Sequence, residues 1–302
     1  MDASRTQREG LLLGFGAYLI WGLLPLYLKL LVGVPSAEVL AHRIVWSMLL
    51  LGIVVVVLRR ASAIRAAATG RTLLLLGLSA TLIAVNWTVY IWAILNGHVL
   101  ETSLGYFINP LVNVAIGMAV LGERMRPLQI AAVGIALVGV LVLTGASLLG
   151  GGGSAWWVPV TLALAFGFYG LVRKVVAIDA LGGLTVETLI LAPPALAWLV
   201  YVEAAGTGAF GRELRLDSLL VFAGVATAVP LLLFAAAARR LRYATLGLLQ
   251  YFAPTLVFFE AVLLFGEPLR TAQVVTFVLI WTGCALYAFD SYRAARSDKG
   301  AA

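Results

Sequence analysis

The chemically capable side chains of this sequence interrupt long apolar runs. Glu38, His42 and Arg43 share one such run. Glu38 and His42 are four residues apart, so a helix places them on one face, which Trp46 continues. Arg43 stands about 100° round from His42, with Trp46 and Ser47 on its own side. An acid, an imidazole and a guanidinium so grouped could attract an anion or pass a proton, because imidazole changes charge near neutral pH. The plainer role is anchoring at a lipid–water interface, with Lys29 and Arg43 snorkelling to water.

A second group carries amides and aromatic rings. Asn86 and Tyr90 share a helical face, with Trp87 and Trp92 nearby. Tyr106, Asn109 and Asn113 form a stripe at helical spacing. Pro110 lies within it, removes a backbone hydrogen bond and can kink the helix. Gln250, Tyr251 and Pro254 repeat the theme. Amides beside a freed carbonyl could line a polar cavity that binds a solute. The alternative is hydrogen bonding that merely holds helices together, worth about 0.6 kcal/mol per contact. Glu260 follows Gln250 in the same apolar run. An unpaired carboxylate there would be expensive, which makes it a candidate proton-coupling acid.

The elements that position these residues are membrane helices. Of 302 residues, 62% are hydrophobic and 12% charged, and the mean hydropathy is +1.03. Soluble domains carry about a quarter charged residues, so composition excludes a soluble fold. Spanning helices need about 20 apolar residues. Ten candidate spans fall near 11–32, 36–58, 72–95, 101–121, 127–148, 155–173, 183–202, 217–238, 244–265 and 271–290. The first is long enough to be a signal-anchor or first helix, and no A-x-A cleavage site follows it. The links include an arginine-rich stretch at 59–71, the Gly150–Gly153 run and a polar stretch at 203–216. The single cysteine, Cys284, excludes an internal disulfide, and no zinc-ligand spacing exists. Neither a metal nor a cofactor is expected.

Cytoplasmic loops carry excess Lys and Arg. With the N-terminus inside, all of the 21 cations except Lys29, Arg43, Arg212, Arg215 and Arg270 fall on the inner side. Arg173 and Lys174 are counted there. This asymmetry predicts both termini in the cytoplasm. It also assigns the net charge of +7 to orientation and anionic lipid rather than to nucleic acid.

The chain repeats itself. At an offset of 144, Pro110 falls on Pro254, Gly122 on Gly266, Glu123 on Glu267, Arg126 on Arg270, Gln129 on Gln273 and Gly139 on Gly283. Weaker matches occur at offsets of 148 and 149, among them Glu38 with Glu187 and Leu40 with Leu189. Internal repeats govern a fold reading. The expectation is an all-α multi-pass membrane protein of ten transmembrane helices. Residues 1–149 and 154–291 form two five-helix repeats, and 292–302 a cytoplasmic tail. An odd number of spans per repeat gives the halves inverted topology, which suits alternating access around a central site. The paired Gly-Glu-x-x-Arg motifs read as turns, with Gly permitting the bend and Glu capping a helix or pairing with Arg. Gly134, Gly139, Gly167, Gly170, Gly224 and Gly283 read as close-packing positions.

Five runs carry a family resemblance: WGLLPLYLKLL (Trp21–Leu31), EVLAHRIVWS (Glu38–Ser47), NGHVLETSLGYFINPLVNV (Asn96–Val114), LGER (Leu121–Arg124) and LGLLQYFAPT (Leu246–Thr255). They resemble RarD-type members of the EamA family, in the drug/metabolite transporter superfamily. The resemblance implies a ten-helix inner-membrane transporter with a central cavity. The expected function is secondary transport, in the export direction, of a small organic metabolite or drug. Asn86, Tyr90, Trp92, Tyr106, Asn109, Asn113, Gln250 and Tyr251 are the expected substrate contacts. Glu38, His42, Arg43 and Glu260 are the expected coupling or gating groups. The partners are a small-molecule substrate and membrane lipid, and the oligomeric state is left open. A channel or facilitator without proton coupling is the alternative. An intramembrane enzyme would need a catalytic constellation such as HExxH or GxSxG, and neither occurs.

Overall fold

The computed structural model describes residues 3–95, 99–149, 155–264 and 271–300. Every described element is helical: α1 (Ala3–Lys29), α2 (Ser36–Val57), α3 (Ala61–Ala67), α4 (Gly70–Leu95), α5 (Val99–Ala119), α6 (Pro127–Leu149), α7 (Trp157–Val175), α8 (Ala180–Ala204), α9 (Leu214–Ala238), α10 (Tyr243–Gln250), α11 (Phe252–Phe259), a π-helical turn (Glu260–Leu264) and α12 (Thr271–Gly300). Among the described residues, 8 helices are long and apolar enough to cross a membrane, and Leu104–Ala119 is a shorter apolar stretch. Large apolar side chains such as Val56, Leu74 and Val200 stay exposed. That is the surface an apolar solvent wants, and the chain is a membrane protein.

The expected span 244–265 is not one helix. It is α10, α11 and the π-helical turn, with a break at Tyr251. Proline at 254 has no N–H to offer the carbonyl four residues earlier, on Gln250, so the ladder fails there. Pro110 produces no such break, and α5 runs through it. The link at 59–71 contains α3, and the final helix continues to Gly300 instead of ending near 290. The Gly150–Gly153 run, Gly266, Glu267 and Arg270 lie outside the described residues.

The helices gather into two compact units that interleave the halves of the sequence. One comprises Met1–Trp92 and Ala165–Leu241, the other Ala93–Leu164 and Arg242–Ala302.

In the first unit, α2 packs on α8 and α9, and α1 packs on α9. Helices α2 and α8 run antiparallel. Arg60, beyond the end of α2, pairs with Asp179 at the start of α8 (2.6 Å). Glu38, at the other end of α2, accepts a hydrogen bond from Ala209 N beyond the end of α8 (2.6 Å). Asp179 also caps α8, accepting from Gly182 N at 2.8 Å. Gly224 lets α9 approach α2 closely. A Cβ there would stand 2.5 Å from the Trp46 carbonyl carbon. Ser47 Oγ donates to the Gly224 carbonyl at 3.1 Å. Tyr18, Trp21, Phe166, Tyr169 and Phe234 form an aromatic cluster, with Phe166 and Phe234 centroids 5.3 Å apart.

In the second unit, α6 and α12 lie against each other along a symmetric seam. A Cβ on Gly139 would meet the Thr276 carbonyl oxygen at 3.1 Å, and one on Gly283 the Ala132 carbonyl oxygen at 2.5 Å. Gly139 and Gly283 are repeat partners at the offset of 144, and so are Ala132 and Thr276. Each helix therefore presents to the other the patch it receives, as a two-fold contact requires. Thr276 Oγ1 donates to the Gly139 carbonyl at 2.9 Å. Phe107, Tyr251 and Tyr287 join this seam's buried core.

Adding bulk at a close crossing costs about 1–3 kcal/mol. Gly224→Val is expected to destabilise the purified protein by that amount, read as a lowered Tm in detergent. Gly134→Val, where a Cβ meets open space, is expected to leave Tm unchanged.

Candidate functional site

The expected site residues fall into one group in each unit. In the first unit, α2 carries Glu38, His42 and Arg43. Glu38 and His42 are buried, and the helical four-residue spacing sets Glu38 Oε1 at 3.9 Å from His42 Nε2. The Trp46 indole donates to His42 Nδ1 at 3.2 Å. This bond makes Nδ1 the acceptor, so a neutral His42 carries its proton on Nε2, facing Glu38. Phe210 covers the imidazole at a centroid distance of 5.1 Å. Glu38 Oε2 and His42 Nε2 have no hydrogen-bond partner among the described residues.

Arg43 turns away from that pair, as the 100° helical step requires. Its Nε donates to Thr227 Oγ1 on α9 at 2.9 Å. Its guanidinium lies 5.1 Å from the Trp87 ring centroid on α4, within cation–π range. Tyr27 and Tyr90 both feel the Arg43 charge. Asn86 is buried one turn from Tyr90, whereas Trp92 is 39% exposed. The arrangement is a cation held among aromatic rings, which suits a small anion or the negative end of an amphipathic solute.

In the second unit, Asn109 and Asn113 on α5 are fully buried, and Gln250 and Tyr251 nearly so. Tyr106, on the same stripe, is half-buried. Asn113 Nδ2 donates to Gln250 Oε1 at 3.0 Å. The two helices come this close because Gly247 has no side chain. A Cβ there would stand 2.8 Å from the Pro110 carbonyl oxygen. Asn109 Nδ2 and Oδ1 and the Tyr251 hydroxyl bond no group among the described residues. The stripe thus divides: Asn113 holds helices together through Nδ2 and keeps only Oδ1 open, while Asn109 leaves both a donor and an acceptor open. Glu260 opens the π-helical turn, is buried, and neither carboxylate oxygen bonds a described residue. Among the described residues, no group of His, Cys, Asp and Glu could hold a metal ion.

Glu123 caps a helix other than the one that follows it. Gly122, at φ 64°, makes the turn that only glycine takes cheaply. Glu123 then accepts from Tyr243 N (2.6 Å) and Ala244 N (3.1 Å), the first amides of α10. Arg126 Nη1 pairs with Asp290 Oδ2 at 3.0 Å.

The sequence reading missed a fully buried ion pair. Arg173, counted among loop cations, is 1% exposed and donates to Glu187 Oε1 at 3.3 Å. The match of Glu187 with Glu38 at offset 149 was the available signal.

An EamA-like transporter family model matches residues 8–145. Curated relatives span the whole chain. An uncharacterized transporter of Pseudomonas aeruginosa is 46% identical over 97% of this chain and 98% of its own. Protein RarD of Escherichia coli is 44% identical over 99% of this chain and 100% of its own. A chloramphenicol-sensitive protein RarD of Pseudomonas aeruginosa is 37% identical over 97% and 98%. A crystal structure shares the fold at TM-score 0.72, with 21% identity over 94% of this chain and 98% of its own. The chain belongs to the EamA-like transporter family, among its RarD-type members: it is a membrane transporter.

A carboxylate on two helix-terminal amides is worth about 1–2 kcal/mol. Glu123→Ala is expected to lower stability by about that much in thermal unfolding, and Glu123→Gln by less.

Proposed function

We propose that this protein is a secondary transporter that exports a small organic solute across the bacterial inner membrane by alternating access. The observation that carries the solute site is Asn109. Its amide is fully buried, and neither polar atom bonds a described residue. Leaving a buried polar group unmet costs about 1–3 kcal/mol, and a solute's polar group offsets that cost. Tyr251, Gln250 and Tyr106 accompany it on the α5 and α10–α11 side. Arg43, Trp87, Tyr90 and Asn86 form a separate surface of charge and aromatic rings within the first unit, to which the half-exposed Trp92 also belongs.

The inverted arrangement of residues 1–149 and 154–291 as two five-helix repeats, ten spans in all, is part of this reading. The symmetric α6–α12 seam supports it, because antiparallel contact between repeat partners needs opposite orientation in the membrane. Both termini are cytoplasmic in this reading, and for the N-terminus the support is the cations gathered at one end of the first unit. There Arg240 meets Glu9 at 3.8 Å, Arg60 meets Asp179, and Arg239 donates to the Val176 and Ile178 carbonyls at 2.9 and 2.7 Å. Glu38, His42, Arg43 and Glu260 are the coupling or gating groups of this mechanism. Rocking of the repeats exposes the site to each side in turn.

The test is flux in proteoliposomes for a panel of small organic solutes, beginning with chloramphenicol, which a relative's name carries. Saturable flux accelerated by solute on the far side is expected for at least one of them. Flux that rises without saturation would identify a channel. With that solute, Asn109→Leu is expected to raise KM up to about tenfold, the value of one hydrogen bond. An unchanged KM in a folded variant would remove Asn109 from the site.

A further inference from the structure

The ion pair that sequence reading missed lies in the first unit, apart from the residues assigned above. Glu187 is on α8, Arg173 and Tyr169 on α7 and Ser79 on α4, and all four are almost completely buried. Ser79 Oγ and Arg173 Nη1 both donate to Glu187 Oε1. Arg173 Nη2 donates to the Ala180 carbonyl at 3.0 Å. Glu187 Oε2 and the Tyr169 hydroxyl bond nothing among the described residues. The hydroxyl lies near enough to the carboxylate for a weak hydrogen-bonding interaction with it, although the geometry falls short of a full hydrogen bond.

Both unmet groups line a cavity of about 10 Å3, whose walls also include Ser47, Thr188, Thr227 and Trp87. That is room for the centre of one water; the walls it touches are almost entirely apolar, so its polar partners are Glu187 Oε2 and the Tyr169 hydroxyl. Thr227 also accepts the Arg43 Nε–H. The cavity is therefore one hydroxyl away from a proposed coupling residue.

We propose that Glu187 is a proton-binding site of this transporter, reached through a water in that cavity, and that Arg173 is the element its protonation moves. The proton comes from bulk water, passes through the cavity to Oε2 and leaves the same way. With Glu187 ionised, each charge offsets the other's desolvation. With Glu187 neutral, Arg173 is a buried cation without its counter-charge, a state the interior tolerates poorly. Proton uptake is thus tied to release of the guanidinium. Gly183 makes the present position possible, because a Cβ there would overlap the Arg173 guanidinium. Arg173 sits in the last turn of α7, so its release shifts that turn against the start of α8. The titratable groups facing Glu187 are Arg173 and Tyr169 from α7. The cavity-lining groups of α2 and α9 and the α4 partner are uncharged: Ser47, Thr227 and Ser79.

The repeat places a counterpart at the other end of the same unit. Glu38 matches Glu187 at offset 149, and it too has one bonded and one unbonded oxygen. Its neighbour is His42, where α8 has Leu191. The two carboxylates are therefore related in position and unlike in partner.

The role rests on the transporter reading, but protonation itself can be read without any solute. Infrared difference spectra of the full chain in vesicles of neutral lipid are recorded between about pH 8 and about pH 5, a range wide enough for a perturbed carboxyl. A carboxylic C=O band is expected on acidification, together with a shift of the guanidinium bands. Both are expected to be lost in Glu187→Gln and to persist in Glu38→Gln. The double variant Arg173→Gln/Glu187→Gln removes both charges, so it folds without an unpaired cation and also lacks the band. The amide bands of the same spectra report folding. Identical carboxylic bands in wild type and both Glu187 variants would make the pair a structural ion pair only and overturn the proposal. A Glu187-dependent band with unmoved guanidinium bands would overturn the coupled movement. Solute flux plays no part in these spectra, so failure of the transport test leaves their outcome intact.

Discussion

Lipid offers a polar group no hydrogen bonds, and the placement of polar groups in this chain follows from that constraint. Backbone groups are met inside helices. Hydroxyls are met along their own helices: Thr81, Thr88, Thr144 and Thr282 each donate to the carbonyl four residues earlier. Cations at helix ends are met by carbonyls, as Lys174 is by Ala238 at 3.0 Å. Against this background the unmet groups are conspicuous. Asn109, Glu38 Oε2, His42 Nε2, Glu187 Oε2, Tyr169 and Glu260 are buried polar groups whose costs the described structure leaves open. Such costs persist where something other than the resting fold meets them.

The same constraint explains the glycines. Helices in lipid gain little from apolar burial against one another, so association depends on close contact. Gly224 under Trp46, Gly247 under Pro110 and the Gly139–Gly283 pair are where such contact occurs. The last pair is symmetric, and the chemistry carried on the scaffold is not. Glu38 is paired with an imidazole and a loop amide, Glu187 with a guanidinium and a hydroxyl.

Much was legible in the residues. Composition required a membrane protein, and the six gapless matches at offset 144 announced a repeat before any helix was placed. The stripes at helical spacing also held. Asn109 and Asn113 share a buried face, and Glu38 and His42 meet as four-residue spacing requires. The break at Tyr251 was less legible, since Pro254 disrupts its helix while Pro110 does not disrupt α5. The residue is the same in both helices, so its type alone does not tell a broken helix from a continuous one. Arg173 was misread for a related reason. At a helix end, an arginine that snorkels and one that turns inward look alike in sequence, and Gly183 on another helix decides between them.

The sequence by itself determined the solvent, the helical class and the family, because periodicity, composition and motif are properties of the chain alone. Partners of polar groups are not. Asn113 and Asn109 stand four residues apart with the same side chain, yet one bonds Gln250 and the other bonds no described residue. Glu123 could cap whichever helix came near, and the fold brought α10. The tertiary structure alone decided which buried charges are offset and which polar atoms remain open, because both depend on atoms from distant segments meeting within about 3 Å.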